Sequence, residues 1–450
     1  MVQHSVERAL VPDAGRAHLL IVAGDPPTLP SWSLEDGEAI DSYREARLGY
    51  GIATPFLRTV RYDGDPVPDA ELSMLLEFEA PAADWVLPEG LEWLPFADAA
   101  AGRVDAEPYA DVVATWIAGI ESGFAPPRRS PWARPGWHAA TSDWLRTELA
   151  RHGRQLTGPV EQLGAWAISS LLAADTTGGR VVVKSVPPAF GHEPALTRAL
   201  ADAHPGAVPK VIATDDARRH LVMEAFGGAP LGNEPASRWV DGLLELATIQ
   251  QSWIGRRDEA MRLGVDDRTL SALEAELHSV ILDEAASPEM RPETRGRLLA
   301  ELPRYRELID RLRDGPIPET LVHGDFHPWN VQRDGGRVVI YDWSDACWSH
   351  PFFDLRTFAT RTDDETARKE MLAAYLETWA FVADPGTLRN LLAWSAPLSE
   401  LHLSVSWRRI RAIFEPDGAF PFVDRGVQRH LEFALAATEE LDRTEQAERT

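Results

Sequence analysis

The chain has 450 residues, of which 44% are hydrophobic and 26% charged, the balance of an ordinary globular protein, and its length predicts roughly two or three domains. Its 70 acidic against 45 basic residues give a formal charge of −25, which argues against nucleic acid or an anionic membrane as a partner. A single cysteine, Cys347, excludes an internal disulfide and fits a reducing cytoplasm, no apolar run approaches the roughly 20 residues that span a bilayer, and the opening MVQHSVERALVPD has no basic end followed by an apolar core, so export is not expected.

Residues 1–105 read as a first α+β domain. Ala17 to Ala23, Leu72 to Glu79 and Gly90 to Phe96 carry strand patterns. Residues 106–150 read as a helix and a proline-rich linker. Val112, Val113, Trp116, Ile117 and Ile120 fall on one helical face, four prolines between Ala125 and Pro135 break regular structure, and a second helix is expected from a Ser142 or Asp143 cap to His152.

Residues 151–230 read as a β-rich unit. Trp166 to Ala174 and Arg180 to Val186 are strands joined across Asp175 to Gly179, which puts Lys184 roughly opposite Ser170. Lys184 is one of only three lysines, with Lys210 and Lys369, in a chain that otherwise uses arginine. A helix follows, with Glu193 near its beginning. From 231 onward the pattern is mostly helical, Arg238 to Trp253, Leu270 to Ile281 and Pro292 to Leu302 being apolar at helical spacing, and the polar end from Ala437 to Thr450 is expected to fray.

Within that helical region lies LVHGDFHPWNVQRDGGRVVIYDWSDACWSHPFFD, Leu321 to Asp354. Val331 to Arg333 and Arg337 to Tyr341 flank Asp334-Gly335-Gly336, a turn that closes an antiparallel hairpin. Asn330 enters that hairpin where Asp342 leaves it, and Asp325 lies in the loop just before. Hard oxygen ligands so gathered suit Mg²⁺. Phosphoryl transfer needs such parts, because its catalysis is mainly positioning and charge neutralisation. Asp325 would orient and deprotonate an acceptor hydroxyl, and Asn330 and Asp342 would hold metal bridging the nucleotide phosphates.

His323-Gly324-Asp325 with Asn330 five residues after the aspartate, then Tyr341-Asp342-Trp343, resembles the aminoglycoside phosphotransferase and choline kinase superfamily, relatives of protein kinases. The resemblance covers residues from about 150 to 450. It implies an α+β, bilobal protein-kinase-like fold, with a small β-rich lobe at 151–230 and a large helical lobe at 231–450, preceded by the smaller α+β N-terminal domain. The implied cofactors are ATP and Mg²⁺, and the implied partner is a small-molecule hydroxyl acceptor: a sugar, aminosugar, aminoglycoside or amino alcohol. Lys184 matches the strand lysine that reaches the α and β phosphates, and Glu193 the helix glutamate that pairs with it. The stretch from Leu163 to Ser170 stands where a glycine-rich loop belongs yet holds one glycine. Ser169 and Ser170 there are either phosphate donors or plain strand residues. Leu221 to Gly228 matches the inter-lobe connection, whose backbone from Glu224 to Phe226 would bind the adenine edge. His323 could touch substrate, but its counterpart in that family mainly holds the catalytic loop in shape, and Asp354 would brace the same loop. Asp345 is either a solvated loop acid or a second metal or substrate contact. Trp394, Glu400, His402 and Trp407 are candidate acceptor contacts, though helix tryptophans are usually core and charged helix residues usually solvated faces.

Residues 1–105 resemble a degenerate Nudix hydrolase domain through Leu29 to Glu38 and Arg44 to Ile52. That family needs two adjacent glutamates where this chain has Leu48 and Gly49, so a binding or packing module is expected in place of a second enzyme. The competing reading of the whole chain is a nucleotide-binding pseudokinase or regulatory protein whose N-terminal module recognises a partner. Asp325, Asn330, Asp342, Lys184 and Glu193, all present, favour catalysis.

Overall fold

Burial alternates along the strand that starts at His4, with Ser5, Glu7 and Ala9 inside and His4, Val6 and Arg8 less covered, the period of two that builds a sheet with two different faces. The computed structural model describes residues 4–35, 39–64, 71–415 and 421–449. Two compact units emerge: Met1–Pro187 with Ile413–Phe422, and Pro188–Ala412 with Val423–Thr450. The proposed N-terminal domain, the linker and the first strands of the proposed small lobe therefore fall in one unit, and the boundary lies near 187.

Unit one contains strands β1 (His4–Leu10), β2 (His18–Val22) and β3 (Ser31–Glu35), helix α1 (Ala39–Tyr50), and strands β4 (Phe56–Asp63), β5 (Glu71–Phe78) and β6 (Leu91–Pro95). Helices α2 (Phe96–Ala100), α3 (Ala110–Ser122) and α4 (Trp137–Arg151) follow, then β7 (Leu156–Trp166), β8 (Ser169–Thr176) and β9 (Val181–Ser185). A four-stranded sheet runs β3-β1-β5-β4, with β1 and β5 parallel, and β2 pairs with β6. Successive side chains feed two separate cores. Leu10 and Leu75 pack with Phe96, Tyr109 and Trp116 from the helices, while Ala9, Leu76 and Phe78 pack with Ala46 of α1. Asp36 to Glu38, part of the stretch that resembles the Nudix box, lie outside the described residues.

The strands β7, β8 and β9 form consecutive antiparallel pairs. β7 is tied to what precedes it. Gln162 exchanges two hydrogen bonds of 2.9 Å with the Phe56 backbone, and the Ala165 N–H donates to the Tyr43 hydroxyl at 3.2 Å. Two elements differ from expectation. β7 occupies residues in which no strand is expected before Trp166, and α4 starts at Trp137, five residues ahead of the Ser142 cap, on the left-handed backbone of Gly136.

Unit two begins with α5 (Glu193–Ala203) and the hairpin β10 (Val211–Asp215) and β11 (His220–Glu224), then β12 (Ala229–Pro230), α6 (Val240–Ser252), α7 (Arg257–Arg262), β13 (Asp266–Asp267), α8 (Leu270–Leu282), α9 (Pro292–Ala300) and α10 (Leu302–Arg313). It continues with β14 (Thr320–Val322), β15 (Val331–Asp334), β16 (Arg337–Ile340), β17 (Cys347–Ser349), α11 (Phe353–Ala359), α12 (Glu365–Glu377), α13 (Pro385–Ile413) and α14 (Pro421–Arg449). One core joins these helices, with Trp253, Tyr305, Trp343, Tyr375 and Trp379 fully buried. Two small sheets stand on it, β12-β15-β16 and β13-β17-β14. The end expected to fray is helical to Arg449. Leu441 is buried, and Arg304 holds Asp442 at 3.0 Å and Glu445 at 2.8 Å, so long-range ion pairs supply what a polar sequence lacks.

Candidate active site

The loop from β14 to β15 is held from below. Gly324 has φ +84°, and a Cβ there would overlap the carbonyl oxygen of Asp345, so only glycine lets the two loops approach this closely. Asp354, at the start of α11, accepts the N–H groups of His323 and Gly324 at 2.9 Å each and the Gln250 side-chain N–H at 3.0 Å. Burial, with the charge of Asp325 adding to it, pushes the Asp354 carboxyl up to about 7 against these three donors. His323 is fully buried, which brings its pKa down to about 4 and keeps the ring neutral. Its Nε2 lies 3.0 Å from the Tyr341 carbonyl, which can only accept, so Nε2 carries the proton.

Asp325 stands above this support with its side chain 47% exposed. His327 Nε2 lies 3.5 Å from Asp325 Oδ2. His327 Nδ1 accepts the Trp329 backbone N–H at 3.2 Å, which places the ring proton on Nε2, facing the carboxylate. Burial pushes the Asp325 pKa up, but the interactions with His327, foremost its Nε2–H, and with His323 together outweigh it and hold the carboxyl below its ordinary 3.8. The sequence reading missed His327, although its place two residues after Asp325 in an extended segment was a usable signal.

Asn330 ends the turn Pro328–Asn330, and its Nδ2 donates to the Asp325 carbonyl at 3.0 Å. That bond fixes the amide and leaves Oδ1 as the atom for a cation. The Tyr341 N–H donates to the Asn330 carbonyl at 3.1 Å and Val331 registers with Ile340, so Asn330 and Asp342 share one end of the hairpin. Asp342 takes a left-handed backbone, φ +65° and ψ +63°, an uncommon conformation for a residue with a side chain and one that collects at functional sites. Ser344 Oγ lies 2.8 Å from Asp342 Oδ1 and 2.9 Å from Glu193 Oε2. One hydroxyl proton thus serves two carboxylates, and it can donate to only one at a time.

A carboxylate and a fixed amide oxygen on a bent hairpin end fit Mg²⁺, which keeps waters and substrate phosphates as its other ligands. Among the described residues no group of three or more His, Cys, Asp or Glu forms an all-protein metal cage, and a Mg²⁺ site of this kind needs none.

The segment after β11 is stitched to the same hairpin. Gln332 Nε2 donates to the Gly227 carbonyl at 2.7 Å, Ala229 registers with Arg333, and the Phe226 ring lies 5.3 Å from that of Tyr341. The Glu224 carboxylate is taken by Lys210 at 2.9 Å, and the Glu224 N–H by the Lys210 carbonyl at 2.9 Å. In unit one, Lys184 is 5% exposed, whereas the ion-paired side chains of Lys210 and Lys369 are 72% and 75% exposed. Lys184 registers with Leu171 and Ser170 with Ser185, one residue from the expected pairing. The stretch expected as a phosphate loop is strand up to Trp166, turning on Ala167 and Ile168 alone. Ser169 accepts the Trp166 indole N–H at 2.9 Å, and the buried Ser170 hydroxyl makes no hydrogen bond among the described residues.

The residues singled out on α13 are engaged in packing. The Glu400 carboxylate, pulled below its ordinary range against burial, is committed to Arg356 at 2.8 Å and His430 at 2.7 Å. His402 is buried against Cys347, 3.7 Å away, and against Phe353, and its carbonyl accepts from the buried Arg268. Trp394 lies under the Arg311 guanidinium, and Trp407 stacks on His430. Asp345 is half-buried in the turn that touches Gly324.

A model of the phosphotransferase enzyme family matches residues 160–388, just over half of the chain. The chain belongs to that family and is a phosphotransferase with a small-molecule hydroxyl as acceptor. No curated protein matches it. Among solved structures, choline kinase LicA from Streptococcus pneumoniae is 16% identical, over 66% of this chain and 99% of its own, with a TM-score of 0.49. Macrolide 2'-phosphotransferase MphH from Brachybacterium faecium is 19% identical over 66% and 97%, TM-score 0.42, and choline kinase from Cryptosporidium parvum is 11% identical over 64% and 90%, TM-score 0.48. Among the described residues no helix is long and apolar enough to cross a membrane.

Proposed function

We propose that this phosphotransferase is an ATP- and Mg²⁺-dependent kinase acting on a hydroxyl of a sugar, aminosugar, aminoglycoside or amino alcohol. The observation that carries the reading is the gathering of Asp325, Asn330 and Asp342 at one end of the β15–β16 hairpin, with Asp325 held by His327. Asp325, kept ionised, takes the acceptor hydroxyl proton as that oxygen bonds to the γ-phosphorus. The bond from γ-phosphorus to the bridging oxygen breaks, and ADP leaves. Asn330 Oδ1 and the Asp342 carboxylate would hold Mg²⁺, which when bound neutralises phosphate charge. Lys184 adds charge for the α and β phosphates, Ser169 or Ser170 adds donors, and the backbone from Glu224 to Phe226 meets the adenine edge. His323 and Asp354 keep the loop in shape.

The acceptor reading rests on charge. Asp325, Asp342 and Asp345 crowd the site of a protein of net −25, so an amine-bearing or neutral acceptor is favoured over a carboxylated or phosphorylated one. Asp325→Asn is expected to remove transfer while leaving Mg·ATP binding within a few-fold, and Asp342→Ala to weaken nucleotide binding itself. Calorimetry and turnover on both variants check this, and undiminished turnover in Asp325→Asn would sink the assignment. Glucosamine should outrun glucosamine 6-phosphate as acceptor, by a margin that shrinks with added salt. Faster turnover of the phosphorylated sugar at both salt levels would reject the charge argument.

A further inference from the structure

A recess of about 590 Å³ lies wholly within unit one, in the size range of small-molecule sites. It is lined from β4, α3, the segment 123–135 and Glu415, and nothing in the phosphotransfer reading uses it. The lining combines Leu57, Val60, Val112, Ile120 and the 67% exposed Phe124 with charged residues. Its five arginines outnumber its three acids, Glu77, Asp111 and Glu415. Arg58 is neutralised by Glu77 at 2.7 Å and Arg129 by both oxygens of Glu415. Arg61 leans on Asp63 at 3.2 Å. The guanidinium groups of Arg16 and Arg134 make no hydrogen bond or ion pair among the described residues, which leaves local positive charge in a protein that carries −25 overall.

Gly119 gives the recess part of its room. It sits inside α3 and lines the recess, and a Cβ added there would meet no atom within 4 Å. Glycine inside a helix is costly relative to alanine, and neighbouring atoms do not demand it here. What the missing side chain provides is open space.

We propose that this recess binds a small organic anion, with a carboxylate- or phosphate-sized head drawn by Arg16 and Arg134 and an apolar body lying over Gly119 and Ile120. Arginine suits such a head because its planar fork of donors matches the planar or tetrahedral oxygens.

Calorimetry on the full chain tests it, with Mg·ADP present throughout to fill the nucleotide site. The probes are naphthalene-2-sulfonate and its neutral analogue naphthalene-2-sulfonamide. The sulfonate is expected to bind at least tenfold more tightly, and to weaken as salt rises. Arg16→Ala and Arg134→Ala should each lower its affinity several-fold, and Gly119→Phe should remove it by filling the space, with thermal unfolding reporting whether each variant is folded. Should Gly119→Phe fail to fold, the two arginine variants carry the test. No binding of the sulfonate at millimolar concentration, equal binding of the two probes, or affinity indifferent to the folded variants overturns the proposal.

Discussion

In the proposed reaction the proton on His327 Nε2 decides how Asp325 meets an acceptor. Because Nδ1 is occupied by the Trp329 N–H, the ring cannot present a lone pair to the carboxylate, only a donor. The 3.5 Å separation is long, as such bonds often are before substrate closes a site. His327 is the largest influence holding the Asp325 pKa down, so His327→Ala should let that pKa rise and free the carboxylate to turn. A hydrogen bond to a charged group contributes about 1.5–3 kcal/mol, which corresponds to a fall of roughly ten- to a hundredfold in kcat with the KM for ATP little changed. The acid limb of the pH–rate profile should also move to higher pH, and His327→Gln, which keeps a donor, should recover part of the loss. A profile that does not move on removing the ring would show that His327 only packs.

At the scale of the element, two glycines separate backbone strain from close approach. Gly335, in the β15–β16 turn, has φ +55° and open space around it, whereas Gly324 has φ +84° and the Asp345 carbonyl against it. Gly335→Ala should cost about 1–2 kcal/mol, the price of a left-handed alanine. Gly324→Ala should cost more than that and remove activity, because the loop that carries Asp325 must shift off Asp345. Urea denaturation with turnover assays compares them, and equal losses would mean that the contact with Asp345 does not fix the glycine. Local signals made this hairpin legible: the Asp-Gly-Gly turn, flanking apolar strands, and an asparagine five residues after an aspartate. β7 was not legible, because Gly158, Pro159 and Gly164 read as breakers. The strand absorbs them with register shifts between Leu156 and Val160 and between Gln162 and Gly164. Contacts distant in sequence were equally hidden. Ser130 and the Trp132 indole donate to the carbonyls of Ala167 and Trp166 at the tip of the β7–β8 hairpin, which therefore needs no glycine-rich turn to be placed. Ser344 between Glu193 and Asp342, and Glu400 between Arg356 and His430, likewise depend on chain pairs that no spacing rule anticipates.

For the molecule as a whole, buried histidines set the response to acid. Burial lowers the pKa of His220 and His323 to about 4 and of His350 to about 3, and places that of His402 well below 6.5. All four belong to unit two. Between the unfolded value of about 6.5 and these folded values, the unfolded chain binds protons that the native chain does not. Stability therefore falls as pH drops through that window. Asp354 works the other way. Its folded pKa of about 7 means that the native chain holds a proton which the unfolded chain releases above about 4, so its contribution falls as pH rises. Glu245 and Glu319, raised by burial, act in the same sense as Asp354. In the upper part of the window the four histidines outweigh Asp354 by about two to three protons, a difference that Glu245 and Glu319 trim without reversing. At roughly 1.4 kcal/mol per pH unit for each, the loss is about 3–4 kcal/mol between pH 6 and 5. Urea midpoints measured from pH 7.5 to 5 should accordingly decline steeply below 6, with limited proteolysis at pH 5 cutting within 188–412 before 1–187. His350 makes no polar contact through Nε2 and sits among Phe352 and Phe353, so His350→Phe should flatten the decline by about one proton. A midpoint that stays level down to pH 5 would mean that these rings titrate as freely in the folded chain as in the unfolded one, and that water reaches them.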